Sequence, residues 1–287
     1  MPPSISVIIV NYNTADHLER CLPSILAQKG TSFEILIVDN ASQDDSVDLV
    51  NSRFPSVKLF ASPQNLGFAK ANNLALREAK GNYIYFLNPD TELQTDDTLT
   101  AMLQFMETHP KVGMAGTAIF YPDMTPQSSV EYRYPGQRHT HGEITKLPGT
   151  IAWLLGASLI GRVPLLKEIG GFSEEYFLYG EDIDLSLSIR KRGWQLGYIP
   201  EAKIIHWEGQ SERQSKQIEV LRKKFAAEMI FYRRHYSPPT IRAIKRANRL
   251  QAIWRIATLT PLLAFSRNKP KTQAKLARYK LALQFFR

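Results

Sequence analysis

The chain lacks the features of a disulfide-stabilised, secreted or membrane-spanning protein. Its 287 residues include a single cysteine, Cys21, which excludes an internal disulfide framework and fits a reducing compartment. The longest apolar run near the C-terminus, residues 253–265, is interrupted by Arg255 and Pro261 and is too short to span a bilayer. No basic region precedes the first apolar segment, so we expect no signal peptide and a cytoplasmic location.

Glycine-rich phosphate motifs are also missing. Neither G-x-G-x-x-G nor G-x-x-x-x-G-K-[ST] occurs in the sequence. These patterns place backbone N–H groups around phosphates in dinucleotide-binding domains and in P-loop proteins. The sequence therefore excludes both of those nucleotide sites.

Acidic residues are absent after Glu228. From Ser211 onward there are 19 Lys and Arg residues against 3 Asp and Glu, a net charge of +16, whereas residues 1–210 carry −7. Such asymmetry is typical of a basic tail that meets an anionic surface, either phospholipid headgroups or nucleic acid. We therefore predict two parts, residues 1–212 and a basic helical extension over residues 213–287.

The first part alternates apolar strands with amphipathic helices. The predicted strands are residues 5–10, 33–38, 57–60, 83–87, 112–120, 153–158 and 197–206. Helical spacing of apolar residues separates most of them. The fold class is therefore α/β, with a doubly wound and mostly parallel sheet.

Three predicted strands end in polar clusters: Asn11-Tyr12-Asn13, Asp39-Asn40 and Asn88-Pro89-Asp90. In a parallel sheet these ends share one edge, where open α/β sheets bind their ligands. Asp39 can accept from the ring N–H of a pyrimidine or from a ribose hydroxyl, or it can be a helix N-cap. Tyr12 can pack on the base, or be an ordinary aromatic at a strand end.

Asp90 follows the most apolar of these strands. A carboxylate in that place suits a divalent cation that also holds phosphate oxygens, although Asn, Pro and Asp equally favour a simple turn. Further along the edge, the stretch from Asn65 to Asn73 contains Gly67, which permits close backbone approach, and Lys70, which can neutralise a diphosphate.

Residues 121–148 show no periodicity, and we interpret them as a mobile loop over the site. Their His139 and His141 are spaced for a metal, but no acidic or cysteine pattern accompanies them, which favours solvated histidines. The strand predicted next closes on Gly156 and Ala157, where a sugar can approach the backbone.

Three acids lie together at Glu181, Asp182 and Asp184, after an aromatic run and at the start of a helix. The helix dipole favours acids there, so capping is one interpretation. A poorly hydrated mouth would also raise a carboxylate pKa towards the strength of a general base. His206 ends the last strand, beside Trp207, and is either structural or a third metal ligand.

Together these segments resemble bacterial glycosyltransferase family 2, which has the GT-A nucleotide-diphospho-sugar transferase fold, and within it the rhamnosyltransferase-like branch. The resemblance covers residues 4–212. It rests on the order and spacing of SVIIVNYN, VDNAS, NLGF, LNPD and GED, followed by His206.

The resemblance implies a metal-dependent, inverting transfer of a sugar from a nucleotide-diphospho-sugar, dTDP-rhamnose first and UDP-sugars next. It implies Asp182 as the catalytic base with Glu181 in support, and Mg²⁺ or Mn²⁺ held by Asp90 and His206. Asn88 departs from the family motif, which has an Asp at that position. The residues predicted to bind substrates are Asn11, Tyr12, Asn13, Asp39, Asn65, Gly67, Lys70, Asn73, Asn88, Gly156, Ala157 and Trp207.

The basic tail contains two amphipathic helical patterns within residues 240–287. Leu250 and Trp254 lie on an apolar stripe beside basic residues, a pattern typical of a helix in a membrane interface. We therefore expect an anionic membrane surface as partner, and a polyprenyl-linked or other saccharide as acceptor, on the cytoplasmic face. An ordinary packed helical pair is the alternative, and no nucleic acid is expected.

Two other functions remain open from the residues themselves. A nucleotidyltransferase of sugar phosphates shares the architecture, although residues 11–14 lack the glycine and basic residues of its N-terminal loop. A non-catalytic binding protein is the other, in which the acids are only helix caps.

Overall fold

The computed structural model describes residues 2–207, 209, 216–265 and 268–287. The chain divides into two compact units, Met1–Tyr134 with Leu147–Arg213, and Pro135–Lys146 with Gln214–Arg287. The boundary predicted at residues 212–213 lies outside the described residues. Residues 121–148, predicted as one mobile loop over the site, are instead divided between the two units, because the middle of that segment, Pro135–Lys146, belongs to the second unit.

The first unit contains eleven strands among its described residues. They are β1 Ile5–Asn11, β2 Phe33–Asp39, β3 Lys58–Ala61, β4 Tyr83–Leu87, β5 Thr91–Leu93, β6 Val112–Phe120, β7 Pro126–Gln127, β8 Val130–Glu131, β9 Trp153–Leu154, β10 Ser158–Arg162 and β11 Gln195–His206. Its helices are α1 Ala15–Leu26, α2 Ser46–Arg53, α3 Phe68–Glu78, α4 Thr98–Thr108, α5 Val163–Ile169 and α6 Glu181–Lys191.

The main sheet has the strand order β3-β2-β1-β4-β10-β6-β11-β5, with β7 also paired to β6. Strands β1 to β4 are mutually parallel, and β6 is parallel to β11. Strand β10 is antiparallel to both β4 and β6, so β6 runs in the same direction as β4. The carboxyl ends of β1, β2, β4 and β11 therefore share one edge with the amino end of β10.

Both faces of the sheet are buried, as the apolar strands predict. On β1, Val7 and Ile9 pack with α1 and α4, whereas Ile8 and Val10 pack with α3 and α5. Alternate residues of one strand thus serve two cores. This arrangement holds β1, and the loop that follows it, in one position.

Two details of pairing differ from the prediction. The segment expected as one strand over residues 153–158 is divided: β9 ends at Leu154, and Gly156 and Ala157 form the turn before β10. Strand β5 pairs antiparallel with β11, opposing Thr91 to His206. The residue before Thr91 is Asp90, so this register brings the predicted metal carboxylate beside the predicted histidine.

The second unit consists mainly of α7 Gln217–His235, α8 Pro238–Phe265 and α9 Lys269–Phe285. Glu143, from the segment Pro135–Lys146, accepts hydrogen bonds from the hydroxyls of Ser237 and Thr240 at the start of α8. In the part of the chain described, no helix has the length and apolar character needed to cross a bilayer.

Gly67 fixes one loop of the edge against another. It has φ +78°, and a Cβ at this position would lie 2.6 Å from the carbonyl oxygen of Phe177. The next N–H, that of Phe68, donates to the same oxygen at 2.8 Å. The loop before α3 and the aromatic run before α6 are therefore joined by a backbone contact that only glycine permits.

We predict that Gly67→Ala destabilises the protein more than Gly170→Ala. Gly170 has the left-handed helical conformation (φ +85°, ψ 20°), which costs an alanine about 1–2 kcal/mol, whereas Gly67 (φ +78°, ψ 173°) has a conformation that is essentially restricted to glycine. At Gly170, however, no atom of the described residues lies within 4 Å of the position that a Cβ would occupy. Chemical denaturation should show an additional loss for Gly67→Ala of about 1–3 kcal/mol, from the clash with Phe177 together with the glycine-specific backbone conformation. Equal losses of stability in the two variants would contradict the close contact between Gly67 and the Phe177 carbonyl.

Candidate active site

The first part of the site is a hydrogen-bonded cluster at the ends of β1 and β2. Asn11 and Asp39 are register partners, and the Asn11 amide nitrogen donates to Asp39 Oδ2 at 2.8 Å. Asp39 Oδ1 accepts from the backbone N–H of Ser42 at 2.9 Å. Helix α2 begins only at Ser46, with Asp45 before it, so Asp39 is not its N-cap.

Asn11 is fully buried, and its amide is already engaged. Besides Asp39, it donates to the Ser42 hydroxyl at 3.1 Å and accepts from the Thr14 hydroxyl at 2.6 Å. These contacts fix the orientation of the Asp39 carboxylate. They make Asn11 a support for the predicted base-binding carboxylate.

Tyr12 and Asn13 follow Asn11 and are half-buried. Asn13 has φ +53°, and its side-chain oxygen accepts from the backbone N–H of Gln43 at 2.7 Å. The loops after β1 and β2 are thus tied together. Tyr12 lies between these fixed points, at the edge of the sheet.

The third loop of this side is held by a pair of asparagines. Asn40 donates to Asn65 Oδ1 at 2.9 Å, and Asn40 Oδ1 accepts from the Leu66 N–H at 2.7 Å. Asn65 Oδ1 also accepts from the Gly67 N–H at 2.9 Å. Lys70 lies on the first turn of α3 with its side chain exposed.

Asn73 is not brought to this cluster. It is buried, and its amide both donates to the Phe172 carbonyl at 2.8 Å and accepts from the Phe172 N–H at 2.8 Å. Its nitrogen also reaches Glu174. Asn73 therefore holds the segment after α5 against α3, a role that the sequence pattern did not indicate.

The second part of the site is a pair formed by Asp90 and His206. His206 Nε2 lies 3.5 Å from Asp90 Oδ1, and both side chains are almost completely buried. The backbone N–H of Trp207 donates to the Asp90 carbonyl oxygen at 3.0 Å. The register of β5 against β11 thus produces the pair that sequence spacing alone could not fix.

This pair matches the donor chemistry of a divalent cation that is shared with substrate phosphates. Among the described residues no three His, Cys, Asp or Glu side chains form a complete metal cage. A single carboxylate that leaves further positions to phosphate oxygens and water is typical of Mg²⁺ or Mn²⁺ in nucleotide sites, and an imidazole is a less favoured but usable additional ligand for Mn²⁺. Asn88, in place of an acid, is half-buried, and its backbone N–H donates to the Ala157 carbonyl at 3.0 Å.

Residues near this pair were missed by sequence reasoning. The guanidinium of Arg20 lies 5.0 Å from the Trp207 ring centroid, and His17 meets the same ring edge-on. On the other side, Gln127 contacts His206 Nδ1 at 2.9 Å. No motif marks these residues, because each comes from a different element and only the fold brings them together.

The third part of the site is the acid pair at the start of α6. Asp182 Oδ2 accepts from the Gly156 N–H at 3.0 Å, and Oδ1 accepts from the Ile183 N–H at 2.8 Å. The turn that replaces the predicted strand thus fixes the carboxylate. Burial raises the pKa of Asp182, against the lowering effect of these N–H donors.

Glu181 and Asp184 have different surroundings from Asp182. Glu181 is 6% exposed, and its Oε2 has no hydrogen-bond partner among the described residues. Burial, followed by the charge of neighbouring Asp182, raises the pKa of Glu181. Asp184 is buried and accepts from the Tyr176 hydroxyl at 3.2 Å, so it has a structural role.

Backbone strain is concentrated around the same edge. Three residues other than glycine have left-handed φ in the loops that form it: Asn13 at +53°, Ala41 at +65° and Tyr179 at +71°. Such conformations cost about 1–3 kcal/mol each and are retained at functional sites more often than elsewhere. The strain therefore supports the location of the site.

Comparisons with known proteins identify the family and the fold. The family model described as "Glycosyl transferase family 2" matches residues 6–170, more than half of the chain. The N-acetylglucosaminyl-diphospho-decaprenol L-rhamnosyltransferase of Mycobacterium tuberculosis is 28% identical over 243 residues, which are 74% of this chain and 78% of that protein. The O-antigen biosynthesis protein RfbC of Myxococcus xanthus is 25% identical over 74% of this chain and 18% of its own length.

Similar solved structures include the mannosyltransferase PcManGT of Pyrobaculum calidifontis, in complex with GDP-Man and Mn²⁺. It has a TM-score of 0.65 and 20% identity, over 99% of this chain and 86% of that one. S. aureus TarS 1-349 in complex with UDP-GlcNAc has a TM-score of 0.60 and 18% identity, over 98% and 90%. At these identities the similarity shows the fold.

The family match sets aside the nucleotidyltransferase and the non-catalytic binding protein as the function of the chain. It also confirms the fold class and the family resemblance inferred from the sequence. The chain belongs to glycosyl transferase family 2 and is a glycosyltransferase with the GT-A fold.

Proposed function

We propose that the protein transfers a sugar, with inversion, from a nucleotide-diphospho-sugar to a hydroxyl of a saccharide or lipid-linked saccharide. One observation carries this proposal: the Asp39 cluster, the Asp90–His206 pair and Asp182 all lie at one edge of one sheet. A nucleotide, its diphosphate and an acceptor hydroxyl need these three kinds of group close together.

The donor is dTDP-rhamnose in the first instance, and a UDP-sugar in the second. Asp39 accepts the ring N–H of the pyrimidine, Tyr12 packs against the base, and Lys70 contributes positive charge to the diphosphate. The name of the M. tuberculosis relative, an L-rhamnosyltransferase, supports rhamnose as the sugar.

Asp90 and His206 hold Mg²⁺ or Mn²⁺ beside the diphosphate. When bound, the cation supplies electrostatic stabilisation of the departing nucleoside diphosphate. The Mn²⁺ in the PcManGT complex supports a divalent cation in this fold. The loss of an acid at Asn88 leaves Asp90 as the anionic ligand from that turn.

Asp182 is the general base that takes the proton from the attacking acceptor hydroxyl. Its two carboxylate oxygens are oriented by backbone N–H groups, which fixes the direction of its remaining lone pairs. A raised pKa favours proton acceptance at the moment of attack. Glu181 lies directly beside it, and its raised pKa favours a neutral carboxyl, which leaves the negative charge on Asp182.

The acceptor is proposed to be polyprenyl-linked, which places the enzyme peripherally on the cytoplasmic face of a membrane. The M. tuberculosis relative is named for a decaprenol-linked sugar, which supports this acceptor class. In α8, Leu250 and Trp254 are each 59% exposed, and Ile253 is 46% exposed. Arg242 and Arg246 line a depression at the start of the same helix face.

That face has the composition of an element in a membrane interface. Its basic half can contact anionic headgroups, at about 1 kcal/mol for each Lys or Arg near the surface. Its apolar half can enter the boundary with the acyl chains. We propose it as the membrane-contacting surface within residues 240–287.

A donor screen tests the proposed function. The full chain is incubated with dTDP-rhamnose, UDP-sugars and GDP-mannose, each with Mg²⁺ or Mn²⁺ and a polyprenyl-diphosphate-linked GlcNAc acceptor. The proposal predicts sugar transfer from dTDP-rhamnose or a UDP-sugar, dependent on the metal. No metal-dependent transfer or nucleotide release from any donor would contradict it.

We predict that Asp182→Asn lowers the rate of transfer by about 10²- to 10⁴-fold, because the amide cannot accept the acceptor's proton. Affinity for the nucleotide should change little, since Asp182 is assigned to the acceptor hydroxyl. Kinetics with the donor identified in the screen measure the rate, and calorimetry measures nucleotide affinity. Transfer at a near wild-type rate by a folded variant would exclude Asp182 as the base.

We predict that Glu181→Gln stabilises the protein at pH 7.5 by about 1–3 kcal/mol. Because the folded-state pKa of Glu181 is raised, the wild-type protein loses stability as pH rises from the ordinary value of Glu through the raised value. A neutral glutamine has no such dependence, so the difference should shrink towards pH 5. Parallel pH profiles of the free energy of unfolding would contradict the buried-carboxylate assignment.

We predict that the double variant Leu250→Glu with Trp254→Glu binds phosphatidylglycerol-containing vesicles at least about 10-fold more weakly than the wild-type protein. The control is Gln251→Glu with Gln284→Glu, which adds the same charge at exposed positions of α8 and α9. Vesicle co-sedimentation measures both. Equal losses of vesicle affinity in the two variants would show that the effect comes from net charge, and would exclude this apolar face as the membrane-contacting surface.

A further inference from the structure

His206 has its two ring nitrogens directed at two different side chains. Nδ1 lies 2.9 Å from Gln127 Oε1, and Nε2 lies 3.5 Å from Asp90 Oδ1. The imidazole is 4% exposed, so water does not substitute for either contact. The tautomer of the imidazole ring is therefore determined by these two protein contacts.

The chemistry of Gln127 decides which nitrogen carries the proton. An amide oxygen accepts hydrogen bonds and cannot donate them, so the contact with Gln127 Oε1 is a hydrogen bond when Nδ1 carries the proton. In a neutral imidazole the other nitrogen, Nε2, then has a lone pair. That lone pair points towards the Asp90 carboxylate, the direction in which a shared divalent cation would be bound.

The sheet explains how a residue from the segment after β6 reaches the last strand. Gln127 on β7 pairs with Ile119 of β6, and Ile119 pairs on its other side with Ile204 of β11. Cross-strand partners share a face, and His206 shares the face of Ile204 because it lies two residues further along. Gln127 and His206 are thus placed on the same face of the sheet.

We propose that Gln127 is a positioning residue that fixes His206 with the proton on Nδ1, so that Nε2 is available to the metal. This inference rests on the proposed metal role of Asp90 and His206. Histidines that bind metals commonly donate their second N–H to such an acceptor, and its removal typically lowers metal affinity 10- to 100-fold. Gln127 touches neither sugar nor nucleotide in this role.

Two variants separate this role from simple packing. Gln127→Met keeps the length of the side chain but removes the acceptor, whereas Gln127→Glu keeps an acceptor oxygen for Nδ1–H. Gln195→Met is the matched control, a half-buried glutamine at the opposite end of the strand that carries His206. His206→Ala defines the affinity that remains without the imidazole.

The first measurement is the ¹⁵N spectrum of His206 in the full chain at pH 8 without added metal. We expect the Nδ1–H tautomer in the wild-type protein, in Gln127→Glu and in Gln195→Met, with a shift towards Nε2–H in Gln127→Met. An Nε2–H ring in the wild-type protein, or an unchanged tautomer in a folded Gln127→Met, would overturn the inference.

The second measurement is Mn²⁺ affinity by electron paramagnetic resonance, with UDP or dTDP present. We expect Gln127→Met to bind Mn²⁺ about 10- to 100-fold more weakly than the wild-type protein. The Mn²⁺ affinities of Gln127→Glu and Gln195→Met should be close to that of the wild-type protein. If His206→Ala binds Mn²⁺ more weakly but Gln127→Met binds it as well as the wild-type protein does, the role of Gln127 is overturned and the metal role of His206 stands. Unchanged affinity in His206→Ala would overturn the metal role in the proposed function as well.

Discussion

The hydrogen bond between Asn11 and Asp39 links the neighbouring strands β1 and β2 at the point where they end and the loops of the site begin. Both side chains are buried, and the loops after β1 and β2 are hydrogen-bonded to them through Thr14 and Ser42. A carboxylate at this depth is stable only when its oxygens are satisfied, because an unpaired buried charge costs several kcal/mol. The loops after β1 and β2 therefore fold around Asp39 and hold its carboxylate in a fixed position at the edge of the sheet.

The other half of the site depends on strand direction. Because β10 runs against β4 and β6, its amino end reaches the ligand edge and brings Gly156 to Asp182. Because β5 turns back along β11, Asp90 comes beside His206. Three pairings thus assemble groups from four distant segments, and the strained residues at this edge show that the fold tolerates a cost in order to keep them there.

The amino-acid sequence predicts the parts of this account that depend on local pattern. The apolar strands, the edge clusters at Asp39 and Asp90, and the acid pair at Asp182 are visible because burial and turn chemistry act on neighbouring residues. Pairing is not visible in this way: the divided strand around Gly156, the Gln127 contact and the structural use of Asn73 depend on residues far apart in the chain. The membership of Pro135–Lys146 in the second unit was missed for the same reason.

If these distant loops form one nucleotide–metal site, as we propose, hydrogen–deuterium exchange of the full chain will detect it. Exchange is compared with and without Mn²⁺ together with UDP, dTDP or GDP. We expect the nucleotide that binds to slow exchange together in the loops after β1 and β2, at Asn65–Phe68 and around Asp90. Protection confined to one of these loops, or found only elsewhere in the chain, would contradict a shared site.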